Sequence, residues 1–408
     1  METQTFNLYG DGIHDDYPAI QQMIDSGVCE VSLPAPKKFY LISQTLTLPS
    51  CFKLKLPRFA EIRLMDGANC FMVQNKMIPK PAKRLAESLS ENQKLLWHFI
   101  EEYSPDQDDA CHDFEIEGGI WNFNNLNQRE NPIWKGTFGP EKYLGHGMLF
   151  YNVRHFKLSN MTLKDPVNYA VMIDTASYFT VENINFDFNF GNPIASNMDG
   201  IHLNGSCHYG VLRNLKGACY DDLIALNAHE GSAGDITNIE IDGLFAEGCH
   251  SAVRLLSVNQ KIENITISNV FGTYYQYCIG LTKYYPGEPT GLYDAITLRN
   301  IHIAKAKRLP IQEAHMGNKS RSFPLIWVQG DVPVKNLTIT CLHRREYVNP
   351  IETIGLESVA RVENLILDDI TTENHTASPM PLLKNKGHLQ NLSLRNVRTN
   401  GDPCVVVG

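Results

Sequence analysis

The sequence predicts an all-β fold built as a parallel β-helix, and three observations carry that prediction. The first is a short recurring motif, apolar-x-apolar-x-Asn-apolar. It occurs as Phe156-x-Leu158-x-Asn160-Met161, Phe179-x-Val181-x-Asn183-Ile184, Ile265-x-Ile267-x-Asn269-Val270, Ile296-x-Leu298-x-Asn300-Ile301 and Leu392-x-Leu394-x-Asn396-Val397. Imperfect copies carry Gly243, Cys341 or Asp369 in the asparagine place. The second is spacing: successive copies lie roughly 23 to 41 residues apart, as in stacked-coil architectures. The third is the asparagine itself, which tolerates the left-handed backbone of a tight corner.

Within each copy the alternation is that of a strand, one side chain in and the next out. Coils that start with such a strand and then turn a corner bury their apolar face against the coils above and below, and none is stable alone. A β-sandwich would favour shorter, more even strand spacing and Asn-Gly hairpins, which are scarce here.

A solenoid needs its ends covered. The segment from Asp16 to Ile24 reads as a helix, with Asp16 as N-cap and Pro18 in the first turn, and is expected to cap the N-terminal end. A second helical stretch around 81–103 interrupts the strand pattern (Leu95-Leu96-Trp97-His98-Phe99-Ile100) and reads as an insertion, about 77–110, between early coils. The rest of 1–408 reads as one elongated domain.

Composition limits the function classes. Charged residues make up 20% and apolar ones 43% of the 408 residues, and no stretch approaches the ~20 apolar residues of a membrane span. The net charge of −9 speaks against nucleic acid or an anionic membrane as partner. Met1-Glu2-Thr3-Gln4 has no apolar run after it, so no secretory signal is read and the cytoplasm is the expected compartment unless a signal was removed. The ten cysteines show no CxxC pair and are expected to be reduced, buried, strand-filling residues.

The chemistry is expected at three aspartates. Asp199 lies in Asn197-Met198-Asp199-Gly200, and Asp221-Asp222 follow about one coil later. Clustered carboxylates on a rigid face suit glycoside hydrolysis, in which one protonates the leaving oxygen and another activates water. Crowding keeps a proton on at least one of them to higher pH. Neighbouring residues of a strand point to opposite faces, so Asp221 and Asp222 share a cleft only if the backbone bends there.

These motifs resemble glycoside hydrolase family 28, the polygalacturonases and their relatives, which are right-handed parallel β-helices. Tyr9-Gly10-Asp11-Gly12-Ile13-His14-Asp15-Asp16 with Ala19-Ile20-Gln21 is similar to the opening of many pectin-active β-helix proteins. Asn197-Met198-Asp199-Gly200 resembles the family's Asn-Thr-Asp-Gly, and Tyr220-Asp221-Asp222 its Gly/Gln-Asp-Asp. Gly248-Cys249-His250-Ser251 stands where the family has Gly-His-Gly, and Leu281-Thr282-Lys283 where it has Arg-Ile-Lys. The resemblance covers most of the chain except the helical insertion and the far C-terminus.

The resemblance implies an inverting hydrolase of a pectin-like, galacturonic-acid-containing polysaccharide or oligosaccharide. Asp221 is then the general acid, and Asp199 and Asp222 hold and deprotonate the water. Asn197 holds a carboxylate in place, and His250 tunes Asp221 or binds a hydroxyl. Lys283 binds a substrate carboxylate or hydroxyl. Its family partner Arg is replaced by Leu281, and Arg254 is the candidate substitute from a neighbouring coil. Tyr284 and Tyr285 supply an aromatic wall. No cofactor or metal is implied.

Each residue also has a structural reading: Asp221-Asp222 as a solvated turn, His250 as a core histidine, Lys283 as a surface lysine, the tyrosines as packing, and His146 in Gly145-His146-Gly147 as part of a turn. Two rivals stay open. One is a lyase in which the aspartates hold Ca²⁺ and Lys283 or Arg254 takes the proton. The other is a glycan-binding solenoid without catalysis. The helical insertion and a loop near 305–322 are expected to wall off one end of a groove, which favours exo action.

Overall fold

The computed structural model describes residues 7–79, 103–129, 145–189, 197–307 and 322–408. The expected helical insertion, and most of the loop near 305–322, lie outside the described residues. The chain forms two compact units, Met1–Ile201 and His202–Gly408. Both are made of short parallel strands stacked coil upon coil.

In the first unit three ladders of inward side chains run from coil to coil. Val31, Leu54, Ile116, Leu158 and Val181 are in register on one face. Tyr40, Ile62, Trp121, Leu163 and Phe186 are in register on a second. Leu46, Val73, Met148 and Val171 line the third. All of these side chains are buried. At roughly 1.5–3 kcal/mol for each fully buried large aliphatic side chain, a coil gains its stability from the coils on either side of it.

The second unit repeats the plan. Leu212, Ile241, Ile267, Leu298, Ile339, Leu367 and Leu394 form one ladder. Ile224, Val253, Ile279, Ile326, Ile354, Leu383 and Val405 form another. A third passes through Leu226, Leu255, Leu281, Val328 and Leu356. Leu281, which stands where the resembling family has an arginine, is therefore a core residue.

The corner asparagines behave as the repeat requires. Asn160, Asn183, Asn269, Asn300 and Asn396 all have φ between 51° and 58°, and Gly243, Cys341 and Asp369 share the left-handed conformation. Stacked corner amides bond to one another: Asn183 Nδ2 donates to Asn160 Oδ1 at 3.0 Å, and Asn300 Nδ2 to Asn269 Oδ1 at 2.6 Å.

The N-terminal helix is Tyr17–Ile24, with Ile20 and Ile24 buried. Asp16 occupies the N-cap position, yet its side chain makes no capping bond. Its carboxylate instead accepts from the backbone N–H groups of Tyr9 (2.7 Å), Gly10 (3.1 Å) and Leu41 (3.2 Å), tying the Gly10-Asp11-Gly12 turn to the first coils. Asp15 accepts from the Tyr17 N–H at 3.0 Å. No helix among the described residues is long and apolar enough to cross a membrane. None of the ten cysteines is in a disulfide, and five are buried.

Candidate active site

The second unit brings Asp221, Asp222 and His250 together: one donor atom from each lies within 4.8 Å of the others. The backbone achieves this as the sequence required. The strand Asp222–Asn227 begins only at Asp222, so Asp221 sits in the bend before it. One coil on, His250 occupies the break between the strands Ile236–Cys249 and Ser251–Leu256. Asp222 is in register with Ser251, which sets the bend and the break side by side.

The two aspartates have different surroundings. Asp222 is completely buried. Its Oδ1 accepts from the Ser251 hydroxyl and, at 3.0 Å, from the Tyr277 hydroxyl. Its Oδ2 lies 2.8 Å from Arg254 Nε, an ion pair whose N–H is not aligned as a hydrogen bond. A buried carboxylate needs this much compensation to stay ionised. Burial, followed by the charge of Asp222, holds the Tyr277 hydroxyl well above its ordinary range, so it remains a donor.

Asp221 has a side chain that is 14% exposed, and its Oδ1 lies 3.5 Å from His250 Nδ1. That nitrogen also lies 2.9 Å from the Ser251 oxygen. Since the Ser251 proton is given to Asp222, Nδ1 carries the imidazole proton and donates it to Ser251. The result is a chain, His250 to Ser251 to Asp222, that fixes the ring and turns Nε2 away from it. Tyr275 packs edge-on against the ring at 5.2 Å. The Cys219 thiol donates to the Asp221 carbonyl at 3.1 Å and holds the bend from below.

A second polar cluster, unforeseen in the sequence, stands on the same coils. Glu230 is buried. His202 Nε2 lies between Glu230 Oε2 at 3.0 Å and Asn204 Oδ1 at 3.1 Å. Asn227 Nδ2 donates to Glu230 Oε2 at 2.9 Å, and the Tyr285 hydroxyl donates to Oε1 at 2.7 Å. Burial opposes ionisation of Glu230, but the hydrogen bond and charge of His202, with Arg254 and Tyr285, outweigh it and bring the carboxyl down to about 2. Arg254 thus lies in the field of two carboxylates. Burial, then the charge of Glu230, raises the Tyr285 hydroxyl.

Tyr284 and Lys283 complete the surroundings. Tyr284 is 49% exposed, and its ring lies 5.7 Å from the Arg254 guanidinium. Its hydroxyl is raised to about 12, mainly by burial, with Arg254 opposing. Lys283 Nζ pairs with Asp331 Oδ1 at 3.1 Å.

Asp199 and Asn197 belong to the first unit, where Asp199 is fully buried and its carbonyl accepts from the Ala170 N–H at 2.9 Å. Asn197 has φ of 49°. His146, also in the first unit, is buried and stacks on the Tyr169 ring at 4.6 Å.

Asp221, Asp222 and His250 offer the donor types of a divalent-cation site. Asp222, however, already carries an arginine and two hydroxyls. A cavity of about 410 Å³ in the second unit is lined by residues such as His302, His343, Arg345 and Glu373. It contains none of the expected site residues, and Glu373 is paired with Arg345 at 3.0 Å. An acid pair is not formed there.

No protein-family model and no curated protein matches the sequence. Solved structures match in fold. A surface protein and adhesin of Streptococcus pneumoniae, PfbA, aligns over 98% of this chain and 98% of its own, with a TM-score of 0.61 and 14% identity. A family 28 exopolygalacturonase from Yersinia enterocolitica aligns over 98% of this chain and 78% of its own, with a TM-score of 0.56 and 15% identity. A mutant tailspike protein of E. coli bacteriophage HK620, in complex with a hexasaccharide, aligns over 91% of this chain and 61% of its own, with a TM-score of 0.58 and 12% identity. At these identities the likeness is one of fold, the parallel β-helix.

Proposed function

We propose that the protein is a glycoside hydrolase in which Asp221 is the proton donor, acting with inversion on a pectin-like, galacturonic-acid-containing chain. The observation that carries this reading is the inequality of the two adjacent carboxylates. Asp222 is closed off and fixed as an anion by Arg254, Ser251 and Tyr277. Asp221 is partly open beside His250. A fixed negative charge next to a partly exposed carboxyl favours the protonated form of the latter, which is what a general acid requires. Asp222 then acts as the charge that poises Asp221.

Leaving-group oxygen is protonated by Asp221 as the glycosidic bond lengthens, and water adds to the opposite face of the sugar. His250, oriented by Ser251 and Tyr275, is positioned to steady Asp221 or a sugar hydroxyl. The exopolygalacturonase among the structural neighbours is consistent with this chemistry on this fold. The lyase reading is less well supported, because each cation it would use as a base is engaged: Arg254 with Asp222 and Lys283 with Asp331.

The test is an incubation of wild type and Asp221→Asn with galacturonan, rhamnogalacturonan and their oligosaccharides, following reducing ends and unsaturated product with and without chelator. Saturated reducing ends released only by wild type, unaffected by chelator, support the reading. Unsaturated product lost in chelator points to the lyase. Binding of the glycans without turnover by wild type points to a binding solenoid.

A further inference from the structure

In the first unit, one column of corners stacks side chains of metal-ligating type. Cys51, Asp113 and His155 have φ of 56°, 55° and 51°, all left-handed. Each stands just before a buried phenylalanine, and Phe52 is in register with Phe114, and Phe114 with Phe156. The three corners are therefore successive steps of about 4.8 Å along the stack.

The left-handed turn at Asp113 also decides the direction of its carboxylate. Neighbours in a strand normally point to opposite faces. Here Asp113 Oδ2 lies on the side of its neighbour His112, 2.8 Å from Nδ1. His155 Nδ1 approaches the other oxygen, Oδ1, at 3.4 Å. Cys51 joins from the adjacent coil, held by its N–H, which donates to the His112 carbonyl at 2.9 Å. One donor atom each from Cys51, His112 and Asp113 lies within 4.8 Å of the other two. Cys51 is exposed, and the side chains of His112, Asp113 and His155 are 34%, 55% and 51% exposed, so an ion can reach all four.

We infer that Cys51, His112 and Asp113 form a binding site for a borderline-soft divalent cation of the zinc class, with His155 holding Asp113 in place from the next coil. A thiolate, an imidazole and a carboxylate are a zinc donor set, whereas calcium and magnesium take oxygen ligands. Zinc bonds such donors at about 2.0–2.3 Å, and side chains open to solvent can close on it by small rotations. Water fills the fourth position, and the Cys51 thiol gives its proton to solvent on binding. The ion ties together two coils whose ligands, Cys51 and His112, lie 61 positions apart in the chain.

The test uses the full chain, kept reduced, stripped with chelator and titrated with cobalt and then with zinc. One equivalent of cobalt is expected to give a thiolate charge-transfer band with the intense visible bands of tetrahedral coordination, and zinc is expected to displace it. Zinc should also raise the melting temperature by several degrees, as any ligand of the folded state does. Cys51→Ser should lose both the band and the rise, while Cys29→Ser, at another exposed cysteine, should keep them. His155→Gln should keep the band and bind roughly 10- to 100-fold more weakly, the usual effect of removing a residue that orients a ligand. Melting curves without metal are read first, and His112→Gln carries the test if Cys51→Ser does not fold. Absence of the band, or a band that survives Cys51→Ser, overturns the inference. Weak zinc uptake indifferent to Cys51 and His112 means an adventitious ion only and overturns it as well.

Discussion

The Tyr277 hydroxyl donates to Asp222 Oδ1 across 3.0 Å, from a residue 55 positions further along the chain. With Ser251 and Arg254 it closes Asp222 inside the protein, and leaves Asp221 as the more open carboxyl and the proposed proton donor.

Asp221→Asn is accordingly expected to lower kcat by roughly 10²–10⁴-fold, the usual worth of a positioned general acid. Its melting temperature should stay within a few degrees of wild type, because the side chain is partly open. A loss of activity that tracks unfolding would remove Asp221 from the mechanism.

Removing Arg254 has a different signature. Arg254→Met leaves Asp222 buried without its counter-charge, and breaking a buried pair from one side costs about 3–5 kcal/mol. The denaturant midpoint should fall accordingly. If Arg254→Met is as stable as wild type, the ion pair is not what keeps Asp222 ionised.

Ser251→Ala interrupts the link from His250 to Asp222. The fold is expected to survive, while the pH profile of kcat shifts, because the His250 ring loses the acceptor that fixes its tautomer. Ser251→Thr should restore the profile, and an unchanged profile in Ser251→Ala would leave Ser251 a structural residue.

Glu230 gives the molecule an acid limit. Its carboxyl is held at about 2, below the unfolded value near 4.5, so its stabilisation is complete above about pH 4.5 and is lost as the pH falls towards 2. The shift corresponds to about 3 kcal/mol. Unfolding free energy measured between pH 5 and pH 2 should fall less in Glu230→Gln than in wild type, and parallel curves would contradict the assignment.

The corner prediction separates backbone from side chain. Asn300→Gly and Asn300→Ala both lose the amide bond to Asn269, but only alanine adds a Cβ at φ of 55°. Alanine should be the less stable by about 1–2 kcal/mol.

What could be read in the sequence follows from where the physical constraint lies. A left-handed corner is a demand on one residue, so Asn160, Asn183, Asn269, Asn300 and Asn396 announced the coils directly. The bend at Asp221 was foreseeable because two adjacent carboxylates cannot otherwise share a face. Tyr277, Ser251 and Glu230 were not seen as site residues, because their partners lie one or two coils away and no local pattern links them. Lys283 looked available because nothing near it in the chain reveals Asp331. Asp16 was read as a helix cap from its position, whereas its carboxylate serves the Tyr9-Gly10 turn.

The stacking of coils also works as a ruler. Asp222 pairs with Ser251 after 29 residues, Val253 with Ile279 after 26, and Ile279 with Ile326 after 47, yet each pairing is a single step of about 4.8 Å. Distance along the site is counted in coils and not in residues. Loops between strands can lengthen or shorten without displacing His250 from Asp221, so recognition at the rim is free to diverge while the spacing of the reactive groups stays fixed.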